Sequence, residues 1–125
     1  MPDSDRSFRR LEGGWCLRGS DGAPRPMRLV IGDTEIARAY LGLVVGRHPA
    51  LCDRTIDDIT VSHRHCRFSV RDGRLFVEDL NSLNGTLVDG ADIPPFELTP
   101  VREGQTLTLG RLSVTISRLD GAKDR

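Results

Sequence analysis

An all-β fold is what this sequence predicts, and three observations predict it. Two Asp-Gly pairs, Asp72-Gly73 and Asp89-Gly90, each follow a short apolar run, and Asp-Gly between alternating segments is the strongest short-range signal for a hairpin. Toward the C-terminus Leu107 and Leu109 alternate with threonines, then Leu112, Val114 and Ile116 alternate with Ser113, Thr115 and Ser117. A period of two puts one face in a core and the other in water. The runs that read as strands are not separated by helices, which rules out a parallel α/β sheet and leaves a sandwich or a barrel.

Taken in order, the chain opens with a polar, charged stretch, MPDSDRSFRR, and closes with a similar one, DGAKDR, so both ends are expected to fray. Gly13 to Pro26 is rich in Gly and Pro apart from Trp15-Cys16-Leu17, which reads as either a short early strand or an anchoring loop. Residues 1–26 are therefore set apart as an N-terminal extension, partly disordered or packed on the domain. The domain proper is placed at residues 27–119, and residues 120–125 form a disordered tail. The runs MRLVI and LGLVV, each ending at a glycine, are strands. Between them Thr34 to Leu41 is the only helical candidate, with the threonine as its cap. It is shorter than an isolated helix needs, which weighs toward a long loop. His65 to Val70 and Arg74 to Asp79 are the strands that flank the first Asp-Gly, and Thr86-Leu87-Val88 leads into the second.

At 125 residues the chain is one domain, large enough to bury a core without disulfides or metal. Lys plus Arg and Asp plus Glu both total 18, a balance that argues against the broad basic surface of a nucleic-acid binder and leaves room only for a local basic pocket. Aromatics are scarce, so no stacking platform for bases is visible. Cys16, Cys52 and Cys66 form an odd set with no close pairing, and no signal-peptide pattern precedes them. They read as the reduced cysteines of a cytoplasmic protein. No apolar run approaches the ~20 residues a bilayer requires. Internal repeats are absent, and no strand leads into a Gly-x-x-x-x-Gly-Lys-Ser/Thr turn.

One stretch, Thr60-Val61-Ser62-His63-Arg64-His65-Cys66, is dense in reactive groups, and three chemistries compete for it. A hydrolytic triad has its ingredients in Ser62, His65 and the nearby Asp57 and Asp58. Residues three apart on a strand point to opposite faces, however, and the chain has no Gly-x-Ser-x-Gly elbow. A metal site would draw on His63 and His65 on one strand face, with Cys52, Cys66 and His48. That spacing matches no zinc pattern, and Cys66 reads better as a small buried hydrophobe. The third reading joins Gly46-Arg47 at the end of one apolar run, Ser62, and the polar loop Asn81-Ser82-Leu83-Asn84-Gly85-Thr86. An arginine fork, a hydroxyl and loop groups at the ends of strands make a small cationic pocket that suits a phosphate.

In order and spacing, Gly46-Arg47, Ser62-His63-Arg64-His65, and Ser82-Leu83-Asn84-Gly85-Thr86 with Asp89-Gly90 after it closely resemble the forkhead-associated (FHA) domain, whose pattern is Gly-Arg, Ser-Arg-x-His, Ser-x-Asn-Gly-Thr and Asn-Gly. The resemblance spans Met27 to Leu119 and includes the closing Gly104-Gln105-Thr106-Leu107-Thr108-Leu109-Gly110. It implies a sandwich of two mostly antiparallel sheets whose loops at one end bind a phosphothreonine peptide, without cofactor, metal or catalysis. Residue by residue, it implies that Arg47 and Ser62 contact the phosphate and that Asn84 holds the peptide backbone just beyond it. Gly46, His65, Gly85 and Thr86 brace the loops. By the same analogy the source is bacterial, a Ser/Thr kinase writes the mark, and neither nucleic acid nor membrane is a partner. The segments 49–58 and 91–100 are the variable loops that would read the flanking residues.

Two positions depart from that pattern. His63 stands where an arginine commonly follows the serine, so a permanent cation becomes one that depends on pH near neutrality. A contact with phosphate there would raise affinity as pH falls. Leu83 stands where many members carry Ser, Thr or a basic residue, leaving only its backbone N–H as a phosphate donor. Both remain assigned to the binding surface, and the rival to a phosphate reader is a phosphate-independent interaction scaffold on the same fold.

Overall fold

The computed structural model describes residues 12–19 and 27–120. Among the described residues eleven strands and one short helix follow in the order β1 (Gly14–Gly19), β2 (Arg28–Gly32), α1 (Asp33–Arg38), β3 (Leu43–Gly46), β4 (Arg54–Thr55), β5 (Cys66–Arg71), β6 (Arg74–Asp79), β7 (Thr86–Val88), β8 (Ala91–Asp92), β9 (Thr99–Val101), β10 (Thr106–Leu109) and β11 (Leu112–Leu119). They form two facing sheets, a six-stranded one in the order β2-β1-β11-β10-β7-β8 and a five-stranded one in the order β4-β3-β5-β6-β9. All pairings are antiparallel except that of β3 with the two-residue β4. The fold is the two-sheet sandwich expected. Leu17, Ile31 and Ile116 from one sheet meet Phe68, Val77 and Leu75 from the other, each at most 1% exposed.

The turns follow their chemistry. Asp72 and Gly73 have φ of 53° and 76°, Asp89 and Gly90 of 50° and 81°, the left-handed pairs that match a tight turn to the twist of its flanking strands. Leu75, Val77 and Asp79 are the buried positions of β6, alternating with Arg74, Phe76 and Glu78. A carboxylate thus sits where the period calls for an apolar side chain.

Three expectations about the chain's organisation need correction. The boundary at Met27 cuts through one sheet: β1 lies between β2 and β11 and is hydrogen-bonded to both along its length. Of the two readings of Trp15-Cys16-Leu17, the strand is the one the structure holds, since all three side chains are buried. Arg118 fixes it further. Its guanidinium lies 5.0 Å from the Trp15 ring centre and donates two 2.7 Å hydrogen bonds to the Asp33 carboxylate, which raises its already high pKa.

The helix also forms, over Asp33–Arg38, and Gly32 rather than Thr34 is its N-cap residue. Six residues are too few for autonomous helicity, so tertiary contacts supply the stability. Ile36 is 5% exposed, and the Glu35 carboxylate accepts from Gly32 N–H and from Arg54 at 3.0 Å. Finally, the expected loops 49–58 and 91–100 carry β4, β8 and the start of β9. Frayed ends were expected at 1–10 and 120–125; apart from Asp120, those residues lie outside the described ones, as does the segment 20–26.

Candidate functional site

Three connections converge at one end of the sandwich, where β3 stops and β5 begins. The segment after β3 runs beside the segment before β5: Arg47 N–H donates to Ser62 O at 2.9 Å, His48 N–H to His63 O at 3.2 Å, and His65 N–H to Val45 O at 2.9 Å. Gly46 permits this approach, because a β-carbon there would collide with the His63 carbonyl.

His65 bolts the second connection to the third. Its ring is fully buried, Nδ1 accepts from Ser62 N–H at 3.0 Å and Nε2 lies 2.9 Å from Gly85 O. A backbone N–H only donates and a carbonyl only accepts, so the ring is neutral with its proton on Nε2. Burial holds its pKa below the ordinary histidine value, against smaller upward pulls from the Gly85 carbonyl and the Asp79 carboxylate. A depressed folded-state pKa means that acid protonates the unfolded chain first. The stability that neutral His65 supplies is therefore complete above about pH 6.5 and lost as pH falls from there through the folded-state value. Urea unfolding of the native chain should lose stability between pH 7 and pH 5 more steeply than that of a His65→Gln variant; parallel slopes would refute the role.

The third connection is braced from below by Asp79, 4% exposed. Its Oδ1 accepts from Ser82 Oγ at 2.5 Å and from Thr86 Oγ1 at 2.7 Å, and its Oδ2 from Ser82 N–H at 3.1 Å. Ser82 Oγ in turn accepts from Gly85 N–H at 3.1 Å, with Gly85 at φ +87°.

On this frame the outward groups are left with open valences. Ser62 Oγ accepts from Leu83 N–H at 2.9 Å, so its own O–H is free to donate. This corrects the expectation that Leu83 N–H would face a ligand. Arg47 Nε donates to Val61 O at 3.1 Å, and its two Nη groups have no partner among the described residues. Asn84 Nδ2 donates to Thr60 O at 2.9 Å, which leaves Oδ1 to accept. Thr60 is fixed by Asp58, to which its Oγ1 donates at 2.6 Å, and by Arg111, whose N–H it accepts at 2.9 Å.

Arg47, Ser62, His63, Leu83 and Asn84 all line one open depression of about 380 Å³. The sequence reading missed four further lining residues: Ile59, Thr60, Val61 and Arg64. Arg64 had a signal, a second guanidinium two residues from Ser62 that keeps a permanent cation where His63 displaces one. Ile59, 88% exposed, and Leu83, 89% exposed, add an apolar rim whose meeting no sequence spacing announces. Among the described residues no acidic side chain lines the depression, so it is a cationic bowl with hydroxyl and amide groups on its wall, fit to hold a tetrahedral dianion.

The competing chemistries fare differently. The His65 ring receives the backbone N–H of Ser62, not its hydroxyl, so the two do not form a nucleophile and base. His63 and His65 do not share a strand face: both precede β5, His65 is buried, and His63 is exposed with its ring edge-on to His48 at 5.3 Å. Among the described residues no three His, Cys, Asp or Glu side chains gather as metal ligands do. Cys66 is buried, and burial pushes its thiol far above the ordinary range.

Residues 43–110 match the family model of the FHA domain. The chain belongs to the FHA domain family. This FHA domain is 33% identical over 112 residues to the FHA domain-containing protein FhaB of Mycolicibacterium smegmatis, an alignment covering 82% of this chain and 71% of that protein. It is 39% identical over 77 residues to the oxoglutarate dehydrogenase inhibitor of Corynebacterium efficiens, covering 57% of this chain and 54% of the relative; the chain thus spans about half of that protein's length. Among solved structures, an FHA domain studied for phosphothreonine-dependent FHA interactions superposes with a TM-score of 0.60 at 24% identity, over 83% of this chain and 95% of that one.

Proposed function

We propose that this FHA domain recognises a phosphothreonine-containing segment of a partner protein and so makes a protein–protein contact depend on a Ser/Thr kinase. The observation that carries the reading is the pairing of the uncommitted Arg47 Nη groups with the Ser62 O–H in one acid-free depression. A phosphate brings about −1.5 to −2 charges and three strong acceptor oxygens. Charge-assisted hydrogen bonds are worth roughly 1.5–3 kcal/mol net, so Arg47 and Ser62 together supply about 3–6 of the ~8 kcal/mol a micromolar complex requires. Arg64 and His63 enlarge the field, and Asn84 Oδ1 accepts from a peptide N–H beyond the phosphothreonine. Gly46, His65, Gly85 and Thr86, with Asp79 and Ser82, hold these groups in place without touching the ligand.

In this reading the domain is a binding module without chemistry of its own, the recognition unit runs from β1 to β11, and no cofactor takes part. It works in the cytoplasm, where Cys16, Cys52 and Cys66, all free, stay reduced.

The deciding experiment presents a degenerate peptide library in three forms, with phosphothreonine, phosphoserine or unmodified threonine at the fixed position. Retention of the phosphothreonine form alone is the expected result. Equal retention of the unmodified form would replace the phosphate reader with a phosphate-independent scaffold, for which the exposed Ile59 and Leu83 would be the anchors.

A further inference from the structure

Eight large apolar side chains stand exposed among the described residues, and they fall into two groups. Ile59 and Leu83 rim the phosphate depression, and Leu51 lies in the adjoining connection. The other five, Tyr40, Leu41, Val70, Phe96 and Leu98, all line a second depression of about 500 Å³ that shares no residue with the first.

The topology explains its shape. Tyr40 and Leu41 precede β3, and Phe96 and Leu98 precede β9. These strands flank β5 and β6 in the five-stranded sheet, so an apolar wall stands on either side of the β5–β6 face. The floor is the outward face of β5 and β6, where Arg67, Ser69 and Glu78 alternate with the buried Phe68 and Val77. Most apolar exposure on a protein surface is scattered; five such side chains around one depression with polar groups on its floor stand out from that background.

Two further observations say what it would take. Arg67 Nε and Ser69 Oγ are the only buried side-chain polar atoms without a partner among the described residues, and both belong to this floor. Both atoms are shut off from solvent, so only a shift of this floor on binding would bring them an acceptor. The charge balance is set by Arg71: Glu78 is engaged by Arg67 at 3.5 Å, whereas Arg71 has no ion pair among the described residues, so the lining as a whole is net positive. Phe96 itself sits at φ +63°, a conformation that bulky side chains rarely adopt. It is held there by its N–H donating to Asp79 O at 2.8 Å and by the Asp79–Pro95 bridge. Backbone held in this way is found preferentially at functional positions.

We propose that this groove is a second docking surface, occupied by an acidic, apolar segment of a partner protein. Its large side chains lie between Tyr40 and Phe96, and its carboxylate oxygens accept from the exposed Arg71 guanidinium. A second copy of this chain is the poorer occupant, because an isologous contact would set one positive lining against another.

The test selects from a random, unphosphorylated peptide library displayed on phage against the wild-type chain, then measures Kd of the enriched peptides for four variants. Enrichment of sequences pairing Leu or Phe with Asp or Glu is expected. Their binding should weaken at least about tenfold in Tyr40→Ser and in Arg71→Glu, and also in Phe96→Ser if that variant retains the native thermal transition. Tyr40 is 94% exposed and its replacement leaves the core intact. Arg47→Ala should bind them as the wild type does, and Tyr40→Ser should keep its affinity for a phosphothreonine peptide, so the two sites stand or fall separately. No enrichment, enrichment of basic peptides, or peptides indifferent to Tyr40→Ser and Arg71→Glu would overturn the proposal. So would sedimentation showing wild-type dimers that Tyr40→Ser abolishes, since the second copy would then be the occupant.

Discussion

Arg47→Ala is expected to weaken binding of a phosphothreonine peptide at least about tenfold while leaving the thermal transition close to that of the wild type. The first half follows from magnitude: a single lost charge-assisted hydrogen bond is worth ~1.5 kcal/mol, which is already a factor of ten. The second half follows from position. The Arg47 side chain is exposed, and its one bond to the protein among the described residues is from Nε to the Val61 carbonyl. Isothermal titration of the two chains with one peptide, beside their melting curves, checks both. An unchanged Kd would remove Arg47 from the phosphate site. A collapsed melting curve would mean that its role is structural.

Asp79→Ala is expected to do the reverse, damaging the fold first and the binding through it. The carboxylate accepts three hydrogen bonds, the one from Thr86 in a buried site and the two from half-buried Ser82. Removing it strands the buried Thr86 hydroxyl, at roughly 1–3 kcal/mol, and loses the two bonds that hold Ser82, at roughly 0.5–1.5 kcal/mol each. A loss on the order of 3 kcal/mol would lower the melting temperature of a domain this size by on the order of 10–20 °C. Affinity for a phosphothreonine peptide should fall as well, although Asp79 does not line the depression, because Gly85 and Asn84 are no longer held. Thr86→Val removes one of the three bonds and should show a fraction of the effect. A melting temperature within a few degrees of wild type for Asp79→Ala would show that the loop is held by other means.

The parts of this structure that were legible in the sequence are those in which local chemistry and tertiary fold agree. Alternation in Leu112 to Ser117 and the Asp-Gly pairs at 72–73 and 89–90 act over a few residues, so the sequence carries them in full. The gathering of Arg47, Ser62 and Asn84 around one depression was legible as a motif. What escaped depends on distant partners. The helix at Asp33–Arg38 has a length that argues against it, and it persists because Arg54 and the core meet it. Trp15-Cys16-Leu17, surrounded by glycines, becomes a strand only because β2 and β11 arrive on either side. Asp79 was visible as the polar end of a strand, but its inward aim emerges only once the alternation of β6 is set against the opposite sheet. The use of Leu83 N–H by Ser62, rather than by a ligand, is a matter of two residues 21 positions apart folding to one 2.9 Å contact.

The pairing of Gly14 with Leu119 also governs how the molecule is made. A sheet whose first strand is completed by its last cannot close during synthesis until β11 has left the ribosome. Until then β1 presents an unpaired edge, the kind of surface on which chains join one another. Contacts between such remote segments fold slowly, since the intervening loop must be ordered before they form. A chain interrupted between Gly85 and Gly110 would therefore carry every residue that lines the depression, lose its Arg111 support and lack the strand on which its first sheet is built. Its fate would be association or degradation rather than partial function.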